Sequence, residues 1–195
     1  MKRNHTVVLF LLVVLVLSAC KPVKQLPVNT IIPNITTDGQ TVPVTEMDST
    51  SEKTQLHFYI DNNETIADAT LFSGDGYSIY ILADSWAHQT GSVNGYSVDI
   101  WQNTAEQSAT LMVLKMGTSD STVAHSWLKT AFDEYDLLED SQGGTGGTNA
   151  DGHMMDSQIF FSENSTYILI KMYALENAET TGTYLTVMAD TFELT

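Results

Sequence analysis

Cys20 is the only cysteine in this 195-residue chain, and it closes an apolar run at the amino terminus, so no disulfide or thiolate metal site can staple the part that folds downstream. Stability must therefore come from an apolar core. The stretch from Thr54 to the end, 142 residues, is long enough to bury about two-thirds of its unfolded surface, and one domain is the natural count.

The residues before the cysteine have the anatomy of a secretory signal. Lys2 and Arg3 precede an apolar run from Val7 to Leu17, and the small residues Ser18 and Ala19 follow. Eleven apolar residues, rising about 1.5 Å each, reach only about 16 Å of a hydrocarbon layer about 30 Å thick, too short for a stable span. Export followed by removal is the expectation.

Leu17-Ser18-Ala19-Cys20 resembles the lipobox of bacterial lipoproteins. The resemblance implies that the sulfur of Cys20 receives a diacylglycerol, that cleavage falls just before it, and that Cys20 becomes the new amino terminus. The expected address is the cell membrane, with the domain lipid-anchored on the extracytoplasmic side. Acyl chains contribute about 0.8 kcal/mol per buried CH₂, and two hold a protein where one would let go. Lys21 stands where an aspartate would mark inner-membrane retention in some two-membrane bacteria.

All four prolines, Pro22, Pro27, Pro33 and Pro43, lie between the cysteine and residue 53, a stretch without an aromatic residue. That composition reads as a tether, roughly 30 Å across as a flexible coil and about 100 Å when extended. The expected organisation is a signal peptide over 1–19, a lipidated amino terminus and tether over 20–53, and a globular domain over 54–195.

Charge restricts the partners. From Thr54 onward the lysines are Lys115, Lys129 and Lys171, against 20 carboxylates. Nucleic acid and anionic head groups both need a basic footprint, so neither is expected as a partner of the domain. A cation or a basic partner would be attracted.

Short runs rich in β-branched and aromatic residues predict strands over 55–60, 66–72, 77–82, 96–101 and 109–115. Ser73-Gly74-Asp75-Gly76 joins the second and third runs as a hairpin turn. Asp120, Ser121 or Thr122 can cap a helix, and Ala124, Trp127, Leu128, Ala131, Tyr135 and Leu138 recur at helical spacing, predicting a helix over 123–139. Gly143-Gly144-Thr145-Gly146-Gly147 predicts a flexible loop. Two further strands are expected over 154–162 and 166–174, and Leu185, Met188, Ala189 and Phe192 mark a closing helix. The fold class is α+β, an antiparallel sheet packed with a central and a carboxy-terminal helix.

Gly76-Tyr77-Ser78-Ile79-Tyr80-Ile81, followed by Trp86, resembles the opening strand and turn of the PsbP-like fold, and the later order of strand pair, helix around Trp127, hairpin and closing helix fits it over residues 66–195. Ala83 departs from the proline common at that turn. The fold is shared by photosystem extrinsic subunits, binding adaptors and bacterial lipoproteins, so it selects no function.

Catalytic patterns are sparse. His57, His88, His125 and His153 include no pair at the i, i+4 spacing of a helical zinc site, and no Gly-x-Ser-x-Gly elbow is present. The glycine cluster lacks the lysine of a phosphate loop. No catalytic, cofactor-binding or metal-ligating residue is assigned; the one site residue is Cys20, with its covalent lipid. Asp133, Glu134, Asp136, Glu139 and Asp140 would crowd the carbonyl end of the central helix, where calcium could offset them, although the spacing is not that of an EF-hand. Tyr59, Tyr77, Tyr80, Trp86, Tyr96, Trp101 and Tyr173 either fill the core or offer flat rings to a protein, peptide or carbohydrate. Three functions follow as expectations: a noncatalytic surface binding or accessory module, an exported hydrolase using paired carboxylates, and an envelope-assembly protein.

Overall fold

The structure, a computed structural model, describes residues 35–44, 52–140 and 143–195. Its strands in chain order are β1 (Ile35–Pro43), β2 (Lys53–Ile60), β3 (Asn63–Ser73), β4 (Tyr77–Leu82), β5 (Trp86–Val93), β6 (Tyr96–Asn103) and β7 (Thr110–Met116). Helix α1 (Ser121–Ala131) precedes β8 (Leu138–Glu139), β9 (Thr145–Thr148), β10 (His153–Phe161) and β11 (Thr166–Ala174). A π-helical turn at Ala178–Gly182 then leads into α2 (Thr183–Ala189), and β12 (Glu193–Leu194) ends the chain. Among the described residues these strands form an eight-stranded sheet ordered β1-β5-β6-β7-β11-β10-β9-β8 and a four-stranded sheet ordered β12-β4-β3-β2, with antiparallel pairing throughout. The α+β expectation is met in this sheet-rich form.

The large sheet is covered on both faces, and its central strands show why. In β7 and β11 nearly every residue is buried, and the side chains divide by alternation. Met112, Leu114, Ile168 and Ile170 point to one face, where Ala124, Trp127 and Leu128 of α1 cover them. Leu111, Val113, Tyr167 and Leu169 point to the other, against Ile79 and Ile81 of β4 and Leu185 and Met188 of α2. The small sheet and α2 thus share one side of the large sheet, opposite α1.

Strand β1 lies within the stretch whose composition predicted a tether. Its residues Ile35, Thr36, Thr37 and Val42 pair with β5, and Val44 is buried in the core beside Trp86. Proline content does not prevent strand pairing at this edge. Pro43 occupies the end of an edge strand, where a missing N–H costs the ladder nothing, and the β-branched residues before it favour pairing.

Helix α1 is shorter than the periodicity predicted. Asp120 caps it by accepting the Thr122 N–H at 2.8 Å, as expected, but it ends at Phe132. Leu138 is 77% exposed and, with Glu139, pairs with β9. Ending the helix here keeps Asp136, Glu139 and Asp140 out of its last turn, where the dipole disfavours negative charge. Glu139 instead meets Lys129 of the last helical turn at 2.8 Å.

The glycine cluster predicted as a loop contains a strand. Gly146 and Gly147 sit inside β9, between β8 and β10, and the backbone of Gly147 passes so close to the Asp136 carbonyl that no Cβ would fit. Glycine serves close approach here. Strand β5, not predicted, was hidden by its polar content, His88-Gln89-Thr90-Gly91-Ser92.

Candidate functional site

The β2–β3 hairpin turns through Asp61 and Asn62, both at positive φ, the pattern of a two-residue type I′ turn. β4 pairs with β3 only from Ala69 to Ser73, so the hairpin runs on beyond the end of β4. A cleft of about 340 Å³ opens in the space this leaves. Thr65, Ala67 and Asp68 of β3 line one side; Asp84 and Ser85, just past β4, line the next; Glu106, Thr181 and Tyr184 close the other. Buried Leu82 and Trp86 face it from the core. A second groove of about 430 Å³, which includes Lys53 and Gln55, adjoins it and shares Asp68 and Asp84.

The walls are fixed by hydrogen bonds between distant segments. Ser85 lies at φ +65, and its carbonyl accepts the Thr104 N–H at 2.7 Å and the Thr104 hydroxyl at 3.3 Å. A non-glycine residue holds this conformation only where its surroundings impose it. Asn103 Oδ1 accepts the amides of Ala105 and Glu106, both at 2.9 Å, which turns the loop toward the cleft. Glu106 Oε1 accepts the Ser108 hydroxyl at 3.0 Å and Oε2 accepts the Thr181 hydroxyl. Asp68 Oδ1 accepts from Gln55 Nε2 at 3.0 Å. Three acidic residues from three segments therefore line one concave surface, with Tyr184 packed edge-on against Phe58 behind it.

A second polar group lies between the sheets. Asp99 of β6 accepts the Tyr77 hydroxyl of β4 at 2.6 Å and meets His88 Nε2 of β5 at 2.9 Å. Burial, then the adjacent Asp99 charge, pushes the Tyr77 hydroxyl well above the usual phenol range, so it remains a donor. The His88 ring sits 4.7 Å from Phe72 and 5.1 Å from Trp101, centroid to centroid. One carboxylate thus joins the two sheets.

The residues singled out from sequence are largely kept apart. His57 meets Glu64 at 3.2 Å on the exposed hairpin, His125 Nδ1 lies 2.9 Å from the Ser121 carbonyl on α1, and His153 starts β10. Among the described residues no three His, Cys, Asp or Glu side chains form a group that could hold a metal ion. In the acidic run, Glu139 is held by Lys129, which also keeps its carboxyl below the usual range, and Asp140 Oδ1 accepts the Gly144 N–H at 2.8 Å. Of the aromatics, Tyr77, Trp86 and Trp101 are core residues, whereas Tyr59 is 66% exposed. Cys20, together with the lipobox, lies outside the described residues.

Sequence reasoning missed Asp68, Asp84, Glu106 and Thr181 altogether. They are separated by up to 113 positions and share no spacing rule. The dipeptide Asp84-Ser85, with its left-handed turn, is the one local signal that could have drawn attention.

No family model and no curated protein matches the chain. Among solved structures it is similar to cyanobacterial PsbP (CyanoP) from Synechocystis sp. PCC 6803, at 15% sequence identity and a TM-score of 0.44, over 67% of this chain and 95% of that one.

Proposed function

We propose that the protein is a noncatalytic binding module, exported and held at the extracytoplasmic side of the cell membrane by a lipid on Cys20, with its ligand seated in the Asp68–Asp84–Glu106 cleft. The observation that carries the reading is how that cleft is built. Concave sites with a few placed polar groups on an apolar wall are the usual form of a binding pocket. Here the polar groups are carboxylates, and the bonds from Ser108 and Thr181 hold Glu106 in place as a fixed acceptor. A ligand bearing positive charge or several donors suits such a wall.

The charge distribution supports this choice. Lys115 pairs with Asp75 at 2.6 Å, Lys129 with Glu139 at 2.8 Å and Lys171 with Asp156 at 2.8 Å, so each lysine from Thr54 onward is matched by a carboxylate. The other acidic groups leave a negative field that draws cationic partners and repels anionic ones. The alternative of a carboxylate hydrolase shares these side chains and differs in its consequence: hydrolysis needs one of the acids to be a proton donor, whereas binding needs all of them as acceptors.

Anchoring is tested by fractionating cells that express Cys20→Ala. The reading expects the variant to leave the membrane fraction and to lack the mass of the diacylglycerol. Retention in the membrane with unchanged processing would remove the anchor.

A further inference from the structure

The overhang of the β2–β3 hairpin leaves a strand edge beside the cleft, and the hydrogen bonds already present say which way its amides point. The Leu71 N–H donates to the Glu52 carbonyl, on the β2 side of β3, whereas the Asp68 carbonyl accepts the Ala83 N–H from the β4 side. Along an antiparallel strand the direction of the amide groups alternates. The N–H and C=O groups of Glu64 and Ile66 therefore face the side of β4, past Ala83, where none of the described strands continues. Thr65, Ala67 and Asp68 of the same stretch line the cleft, and the Ile66 side chain is 53% exposed.

We infer that this edge takes an extended peptide segment of a partner protein, added as a strand that continues the line of β4 and carrying a lysine or arginine into the cleft. The inference rests on the cleft being the binding site. Two features select the occupant. An open strand edge is completed by another extended backbone, whose amides satisfy those of Glu64 and Ile66. Charge selects the side chain, because Asp84 and Glu106 line the cleft, whereas Lys53 lines the adjoining groove, which shares Asp68 and Asp84 with the cleft but not Glu106. The cationic side chain is therefore placed toward Glu106. Only a few residues are needed, since each residue of a strand advances about 3.3 Å.

The test uses the full mature chain in detergent micelles and fluorescence anisotropy of labelled, acetylated hexapeptides that alternate valine and threonine around one central lysine. A glutamate counterpart tests charge. Two N-methylated versions, each blocking one of the two alternating sets of amides, test strand addition on the unaltered protein. The expected result is binding of the lysine peptide, binding about tenfold or more weaker for the glutamate peptide, loss for one methylation pattern and retention for the other. Asp84→Asn should weaken the lysine peptide about three- to tenfold. Equal binding of both methylated forms, equal binding of the lysine and glutamate peptides, or no binding of any peptide would each overturn the inference. A photoreactive group in the cleft separates this failure from that of the underlying reading: if it still captures a partner in cells while no peptide binds, strand addition alone is wrong, and if it captures nothing, both are wrong.

Discussion

Tyr135 is buried, yet its hydroxyl has no hydrogen-bond partner among the described residues, and desolvation together with the charges of Glu134 and Asp151 pushes its pKa up to about 12. Its unfolded value is near 10. Between these two values the unfolded chain gives up a proton that the folded chain keeps, so the native state is fully supported below pH 10 and loses this contribution as pH rises toward 12. Tyr135→Phe removes the titrating group. The variant is expected to unfold in urea within about 1 kcal/mol of the parent at neutral pH, because no hydrogen bond is lost, and to show a shallower loss of stability between pH 10 and 12. An unchanged alkaline profile would contradict this account of the residue. Tyr77 shows the opposite arrangement: its hydroxyl donates to Asp99, so it is part of the joint between the sheets.

Among the elements, β9 departs furthest from its composition. Gly147 allows the strand to pass the Asp136 carbonyl, whereas a Cβ on its neighbour Gly146 would meet nothing nearer than the Met155 carbonyl at 3.4 Å. Gly147→Ala is expected to cost about 1–3 kcal/mol as overpacking, and Gly146→Ala to lie within about 0.5 kcal/mol of the parent. Urea midpoints of the two variants decide this; equal midpoints would mean that the close approach is not what the glycine is for. Strands β4 and β11 were readable to the residue because they are dominated by β-branched, aromatic and other apolar residues and the turns before them are marked. Strands β1, β5 and β9 were not, because proline, polar and glycine content describe local preference, and pairing with a neighbour overrides it. The end of α1 was obscured by Tyr135, which keeps the helical spacing and is buried, but after the helix has stopped. The cleft was illegible for a related reason: Asp68, Asp84, Glu106 and Thr181 are brought together by the overhang of one hairpin and the turn before α2.

For the molecule as a whole, the proposed lipid at Cys20 and the cleft lined by Asp68, Asp84 and Glu106 belong to one acidic chain. Among the described residues no helix is long and apolar enough to cross a membrane, and Cys20 carries the proposed attachment. A module held near a membrane gains effective concentration toward partners at the same surface, and the negative field selects the cationic ones among them. The claim that this cleft is where a partner sits is tested most directly by photocrosslinking in intact cells. A photoreactive side chain replacing Asp84 is compared with one replacing Glu163, in the β10–β11 turn. The account predicts a discrete adduct from position 84 that is absent from position 163. The same adducts from both positions, or none from position 84, would contradict it.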